Sequence, residues 1–143
     1  QDVDTYTNLF SINFYIEITV VDSTHGWSGL SPRDTDVLLT NPSDGDIDLT
    51  VSANGAFTIQ AKGSGDLADG NGHTIPLANI KIHASDLTSA VSLSTTWQNI
   101  GGLTNHARGV SLNLSFKLWI TVPNNLPPGT YTYTLYVQGI EAS

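Results

Sequence analysis

The residues best suited to chemistry gather in the stretch GDLADGNGH, within residues 63–76. Asp66, Asp69 and Asn71 would present hard oxygens from a glycine-rich loop, the kind of donor that Ca²⁺ takes. The same dipeptides, Asp69-Gly70 and Asn71-Gly72, equally make plain turns. A second acidic run, DGDID at 44–48, begins like a calcium loop and then fails. Its sixth position is Leu49 where a glycine is needed, and its twelfth is Gly55 where a bidentate Glu is needed. The four histidines, His25, His73, His83 and His106, are scattered and form no metal-ligand or triad spacing. The chain is therefore read as non-enzymatic, with no cofactor expected beyond a candidate structural Ca²⁺ at Asp66, Asp69 and Asn71.

Three tryptophans carry a different chemistry. Exposed indole rings stack on sugars, so Trp27, Trp97 and Trp119 raise a carbohydrate-binding module or adhesin domain as the alternative function, with cell-surface glycans as partners. Trp97 continues the apolar face of Val91 and Leu93 and is expected in the core. Trp119 is out of phase with Leu118 and Ile120 and is expected on an outer face. Asn113-Leu114-Ser115 is a glycosylation sequon whose Asn113 also points outward; Asn41-Pro42-Ser43 is blocked by its proline.

These residues must be positioned by strands. Through residues 9–21, Phe10, Ile12, Phe14, Ile16, Ile18 and Val20 alternate with polar positions, the period of a half-buried strand. DIDLTVSA repeats the pattern with Ile47, Leu49, Val51 and Ala53 inward, and AFTIQAKG with Phe57, Ile59 and Ala61 inward. Asn54-Gly55 between them signals a hairpin. Matching the apolar faces pairs Ala53 with Phe57, which requires a three-residue connection or a bulge. A short strand is expected at 37–40, weaker ones near 79–84 and 90–97, and a long loop over 63–76. The second very long run places Val110, Leu112, Leu114, Phe116, Leu118, Ile120 and Val122 on one face, ended by Pro123. The last strand, 130–140, aligns Tyr131, Tyr133, Leu135 and Val137. With no helical period anywhere, the fold class is all-β: an antiparallel β-sandwich, immunoglobulin-like or jelly-roll, of seven to eight strands with a long N-terminal strand.

Composition sets the partners. The net charge is -8, with five Lys plus Arg, which excludes nucleic acid and anionic membranes as partners. No apolar run is long enough for membrane insertion of the mature chain. There is no Cys for a disulfide and no Met. Gln1 reads as the residue exposed by removal of a secretory signal peptide, so an extracellular, cell-surface location is expected. Lys62, Lys81 and Lys117 are out of phase with their strands' apolar residues, which argues against a buried Lys–Asn isopeptide bond.

The segments IDLTVSANGAFTIQAKGSGDLADGNGHTIPLANIKI and LWITVPNNLPPGTYTYTLYV resemble secreted immunoglobulin-like surface domains of bacteria and archaea, over residues 9–138. Within that group the chain is most similar to subunits of TasA-type fibres and archaeal bundling pili. The resemblance implies a structural subunit of an extracellular filament or pilus, a homopolymer of the biofilm kind, built by donor-strand complementation. Residues 1–14 would be the donor extension and 15–143 the sandwich. Tyr6, Leu9, Phe10, Ile12 and Phe14 would enter a neighbour's groove. That groove would be lined by Val110, Leu112, Leu114, Phe116 and Leu118, or by Tyr131, Tyr133, Leu135 and Val137.

Overall fold

The computed structural model describes residues 11–142. Tyr6, Leu9 and Phe10 lie outside the described residues. The fold is all-β, with antiparallel sheets packed on one another. The larger sheet holds β1 (Ile16–Val20), β3 (Ile47–Ala53), β10 (Gly109–Ile120), β7 (Ile80–His83) and β8 (Val91–Ser92) in that order. A short β2 (Val37–Leu38) also pairs with β10. A three-stranded sheet runs β11 (Leu135–Glu141), β4 (Phe57–Gly63), β9 (Gln98–Asn99). A small hairpin joins β5 (Leu67–Ala68) to β6 (Thr74–Ile75).

Alternation explains the core. Ile47, Leu49, Val51 and Ala53 of β3 are buried, as are Phe57, Ile59 and Ala61 of β4 and Phe116, Leu118 and Ile120 of β10. These side chains form one cluster with contributions from both sheets. The sheets approach closely where β1 faces β11. A Cβ added to Gly139 would stand 2.3 Å from Ile16 Cδ1 and 2.9 Å from Ile18 Cδ1, so glycine there lets two isoleucines reach the opposite sheet.

Four expectations are corrected. Asn54-Gly55 is not a hairpin, because β3 and β4 belong to different sheets and residues 54–56 cross between them. Neither Asn54 nor Gly55 adopts the positive φ that a tight hairpin turn of that dipeptide requires. Asn54 instead anchors the incoming chain. Its Oδ1 accepts from Tyr15 N at 2.8 Å, its Nδ2 donates to Asn13 O at 3.0 Å, and its own N–H donates to Tyr15 O at 3.2 Å. Second, the face of β10 is broken at a bulge. Gly109 pairs with Ala53 but Leu112 with Val51, so one residue is extra, and Ser111 takes φ +52. The bulge turns Val110 out to 84 % exposure. Third, the stretch 63–76 is not all loop, since β5 and β6 pair beneath the tip 69–73. Fourth, among the described residues of the long N-terminal run, ladder pairing extends from Ile16 to Val20 and not over residues 11–15.

Candidate functional site

At one pole of the sandwich, loop 25–32 and segment 126–133 stand apart and leave a cleft of about 950 Å³. Its floor is core: Leu67, Ile75, Ile120 and Val122 line it while retaining no more than 5 % exposure each. Trp27, Leu30, Leu126 and Tyr131 form much of the walls. The Trp27 indole is fixed by donating from Nε1 to Val37 O at 2.7 Å, and Tyr131 by donating from its hydroxyl to Pro127 O at 2.8 Å. His25 Nε2 and the Tyr133 hydroxyl are 2.6 Å apart and their rings meet edge to face. Burial holds the His25 imidazole below its ordinary value and pushes the Tyr133 phenol up, so both are neutral at neutral pH and the bond joins two uncharged groups.

Residues 12–14 lie at the other pole. Ile12, Asn13, Phe14, Asn54, Gly55, Arg108 and Glu141 surround a hollow of about 350 Å³. Ile12 is 78 % exposed, whereas Phe14 packs onto the core cluster and its ring lies over Gly55. The long strand measures the separation. Gly109 opens β10 opposite Ala53 near this hollow, and Ile120 closes β10 in the cleft floor. Eleven steps of extended chain put them about 36 Å apart.

Between the poles runs an unpaired edge. In the three-stranded sheet β11 has β4 as its neighbour on one side and nothing on the other among the described residues. Ser64 N donates to Thr134 O and Ala142 N to Ala56 O, so the even-numbered residues turn their backbone groups to β4. The N–H and C=O groups of Leu135, Val137, Gly139 and Glu141 therefore face out from the edge.

The proposed groove residues divide. Tyr131 and Tyr133 line the cleft. Leu112, Leu114, Leu135 and Val137 are half-buried against the core. Phe116 and Leu118 have no exposed surface and are enclosed by their own chain. Val110 points to solvent. Of the donor residues described, Phe14 is engaged by its own domain and Ile12 is bare. Asn113 is exposed on β10.

Two tryptophans depart from expectation. Trp119 is out of phase with the core residues Leu118 and Ile120, as expected, but it is covered to 6 % exposure between Leu38 and Lys81. Trp97 is half-buried on an outer face, with the Lys62 ammonium 4.8 Å from its ring centroid, and is not core. At the candidate calcium loop, Asp66 Oδ1 accepts from Leu77 N at 2.9 Å. Asp69 Oδ1 accepts from Asn71 N and His73 N, and its Oδ2 meets His73 Nδ1 at 2.7 Å. Desolvation pushes the Asp69 carboxyl up, but these hydrogen bonds together outweigh it and hold the group below its ordinary value. Among the described residues no three His, Cys, Asp or Glu side chains gather where they could hold a metal. No helix among them is long and apolar enough to cross a membrane.

Sequence reasoning named His25 and Trp27 separately but did not join them in one site, and it passed over Leu30 and Leu126. The signal was there: Leu30 and Leu126 are apolar residues set inside Gly- and Pro-rich loops, where polar residues are the norm. Comparison with family models, with curated proteins and with solved structures returns no significant match to the chain.

Proposed function

We propose that the chain is a structural, non-enzymatic subunit of an extracellular filament, joined to the next subunit by its N-terminal segment. The observation that carries the reading is the opposition of the two poles. The chain enters its own sheet at one end, with a bare Ile12, while a cleft between apolar walls opens at the other. A contact between unlike surfaces at opposite ends repeats without closing and gives a fibre. An edge strand, β11, leads from the cleft along the body and offers backbone partners to an added strand.

The donated part in this reading is residues 1–12, shorter than 1–14, because Phe14 is engaged by its own domain. Phe10 and Ile12 of one subunit would enter the cleft of the next, each contributing about 1.5–3 kcal/mol by transfer from water. Removing residues 1–12 is expected to leave a folded monomer that forms no filaments by negative-stain microscopy. A synthetic peptide of residues 1–14 should then raise the melting temperature of the shortened chain saturably. Leu126→Asp in the cleft wall should block polymerisation of the full chain and abolish the peptide's effect. Filaments from the shortened chain at the full chain's yield would overturn the reading.

A further inference from the structure

The outer face of the three-stranded sheet carries a second cluster, away from the cleft. Phe57, Ile59 and Ala61 point into the core, so Gln60, Lys62 and Ser64 of the same segment turn outward; Thr58 shares their phase but is buried, its hydroxyl accepting from Asn105 N at 3.1 Å. Strand register places Tyr136, Lys62 and Trp97 in one row across the sheet, and Gln138, Gln60 and Asn99 in the next. Tyr136 and Trp97 are two strand spacings apart, about 10 Å.

The first row is a clamp. The Lys62 ammonium lies 4.8 Å from the Trp97 ring centroid and 5.6 Å from that of Tyr136. Two rings hold one cation, fixing a side chain that would otherwise sweep through solvent. The second row is a polarised amide chain. Gln138 Nε2 donates to Gln60 Oε1 at 2.8 Å, and Gln60 Nε2 donates to Asn99 Oδ1 at 2.9 Å. Both bonds run the same way, so the row ends in the Asn99 amino group on one side and the Gln138 carbonyl oxygen on the other.

Charge separates this face from the rest of the molecule. Lys81 pairs with Asp36 and Lys117 with Asp46, but Lys62 meets no carboxylate among the described residues. The outward positions of β4 and β11 and of the residues just beyond them read Gln60, Lys62, Ser64, Thr134, Tyr136, Gln138 and Ile140, with no acid. In a chain of net charge -8 this is a local positive spot. Screening over about 8 Å at physiological ionic strength keeps the distant carboxylates from cancelling it.

We propose that this face binds an acidic polysaccharide, a chain of uronic-acid type. The clamped Lys62 ammonium takes a carboxylate, and the open ends of the amide row take neighbouring hydroxyls. A carboxylate-rich peptide fits less well. It brings no hydroxyls for the amide row, and the sheet's open backbone edge is that of β11, one strand away from Lys62 on β4.

The test is calorimetric titration of polygalacturonate into the full chain, with dextran and poly-glutamate as the neutral and peptide comparisons. Binding to polygalacturonate alone, weakening as salt is raised, is expected. Lys62→Gln should lower the affinity about tenfold, the loss of one charge-assisted contact. Trp97→Ala should lower it at least as much by releasing the lysine. If the melting curve shows that Trp97→Ala does not fold, Tyr136→Ala tests the clamp from its other side. Absence of binding to polygalacturonate overturns the proposal. So does equal affinity for dextran or poly-glutamate, or unchanged affinity in Lys62→Gln.

Discussion

β10 and β11 look alike as sequence and differ in their surroundings. Each belongs to an alternating run, Val110 to Val122 in one and Tyr131 to Val137 in the other, and each run adjoins the proline- and glycine-rich turn at 123–130. β10 lies inside the larger sheet, paired with β3 along 109–116 and with β7 at 117–120, and its last inward residues have almost no exposed surface. Among the described residues β11 has one partner and an open edge, and its inward residues are half-buried. Alternation reports which face of a strand is covered. It is silent on whether the strand's edges are occupied, because pairing is decided by the backbone of distant segments. A search for an acceptor groove from alternation alone therefore weights both strands equally, while the open edge belongs to β11.

The sharpest way to break the comparison is to charge an inward position on each strand. Leu118 is wholly buried, so Leu118→Asp places a carboxylate with no partner in the core. The expected loss is more than about 4 kcal/mol, enough to abolish cooperative unfolding in urea. Val137→Asp, on the half-buried strand, should cost about 1–3 kcal/mol and leave a measurable transition, since its carboxylate can reach water. Equal losses would mean that the two strands do not differ in enclosure.

How much of this was legible in advance follows from the same distinction. Burial along β3 and β4 was readable residue by residue, since Leu49, Val51, Phe57 and Ile59 obey a local period. The partner of β4 was not. Asn54-Gly55 carries a strong turn preference, yet Asn54 is drawn into bonds with Asn13 and Tyr15, about forty residues away. The bulge at Ser111 was hidden for a related reason: an inserted residue leaves the apolar spacing of the sequence intact while moving Val110 to the other face. Of the cleft walls, Tyr131 and Tyr133 were readable from a strand period and Trp27 stood out as an indole in a loop. Leu30 comes from the same loop, with no period to read, and nothing local brings that loop to face residues 126–133.

A middle-sized effect probes how β11 is held although one edge is open. Gly139 sits where Ile16 and Ile18 cross from the opposite sheet. Gly139→Val should cost about 1–3 kcal/mol through overpacking, although valine is the better strand former. Ile16→Ala in the same chain should recover part of that loss, because it removes the atom nearest the new side chain. Urea midpoints of the two single variants and the double variant give the coupling. Strict additivity would show that β1 does not brace β11. A positive coupling would show that the strand is held by its face where it lacks an edge partner.

The smallest effect concerns the approach to β11, the residues 130–134. Here the chain is tied by the Ala68–Thr132 bridge and by the bond between His25 and Tyr133. Burial lowers the folded-state value of His25 below 6.5, its ordinary value, to which it returns when the chain unfolds. Between the two values the unfolded chain binds a proton that the folded chain does not. Stability from this group is therefore complete above about pH 7, and it declines as pH falls through 6.5 toward the folded value. Carboxylates and the other histidines act on every variant alike, so the informative quantity is a difference. The melting temperature of wild type minus that of His25→Gln, taken at steps between pH 7.5 and pH 5, roughly the window in which histidine titrates, should shrink as pH falls. Tyr133→Phe should lower stability by about 1 kcal/mol at pH 7, since it removes the hydroxyl that His25 meets. It should leave the decline with pH in place, because His25 stays buried. A difference curve that is flat across the window would mean that His25 is solvated in the folded chain and that the cleft wall is looser there than the 2.6 Å contact implies.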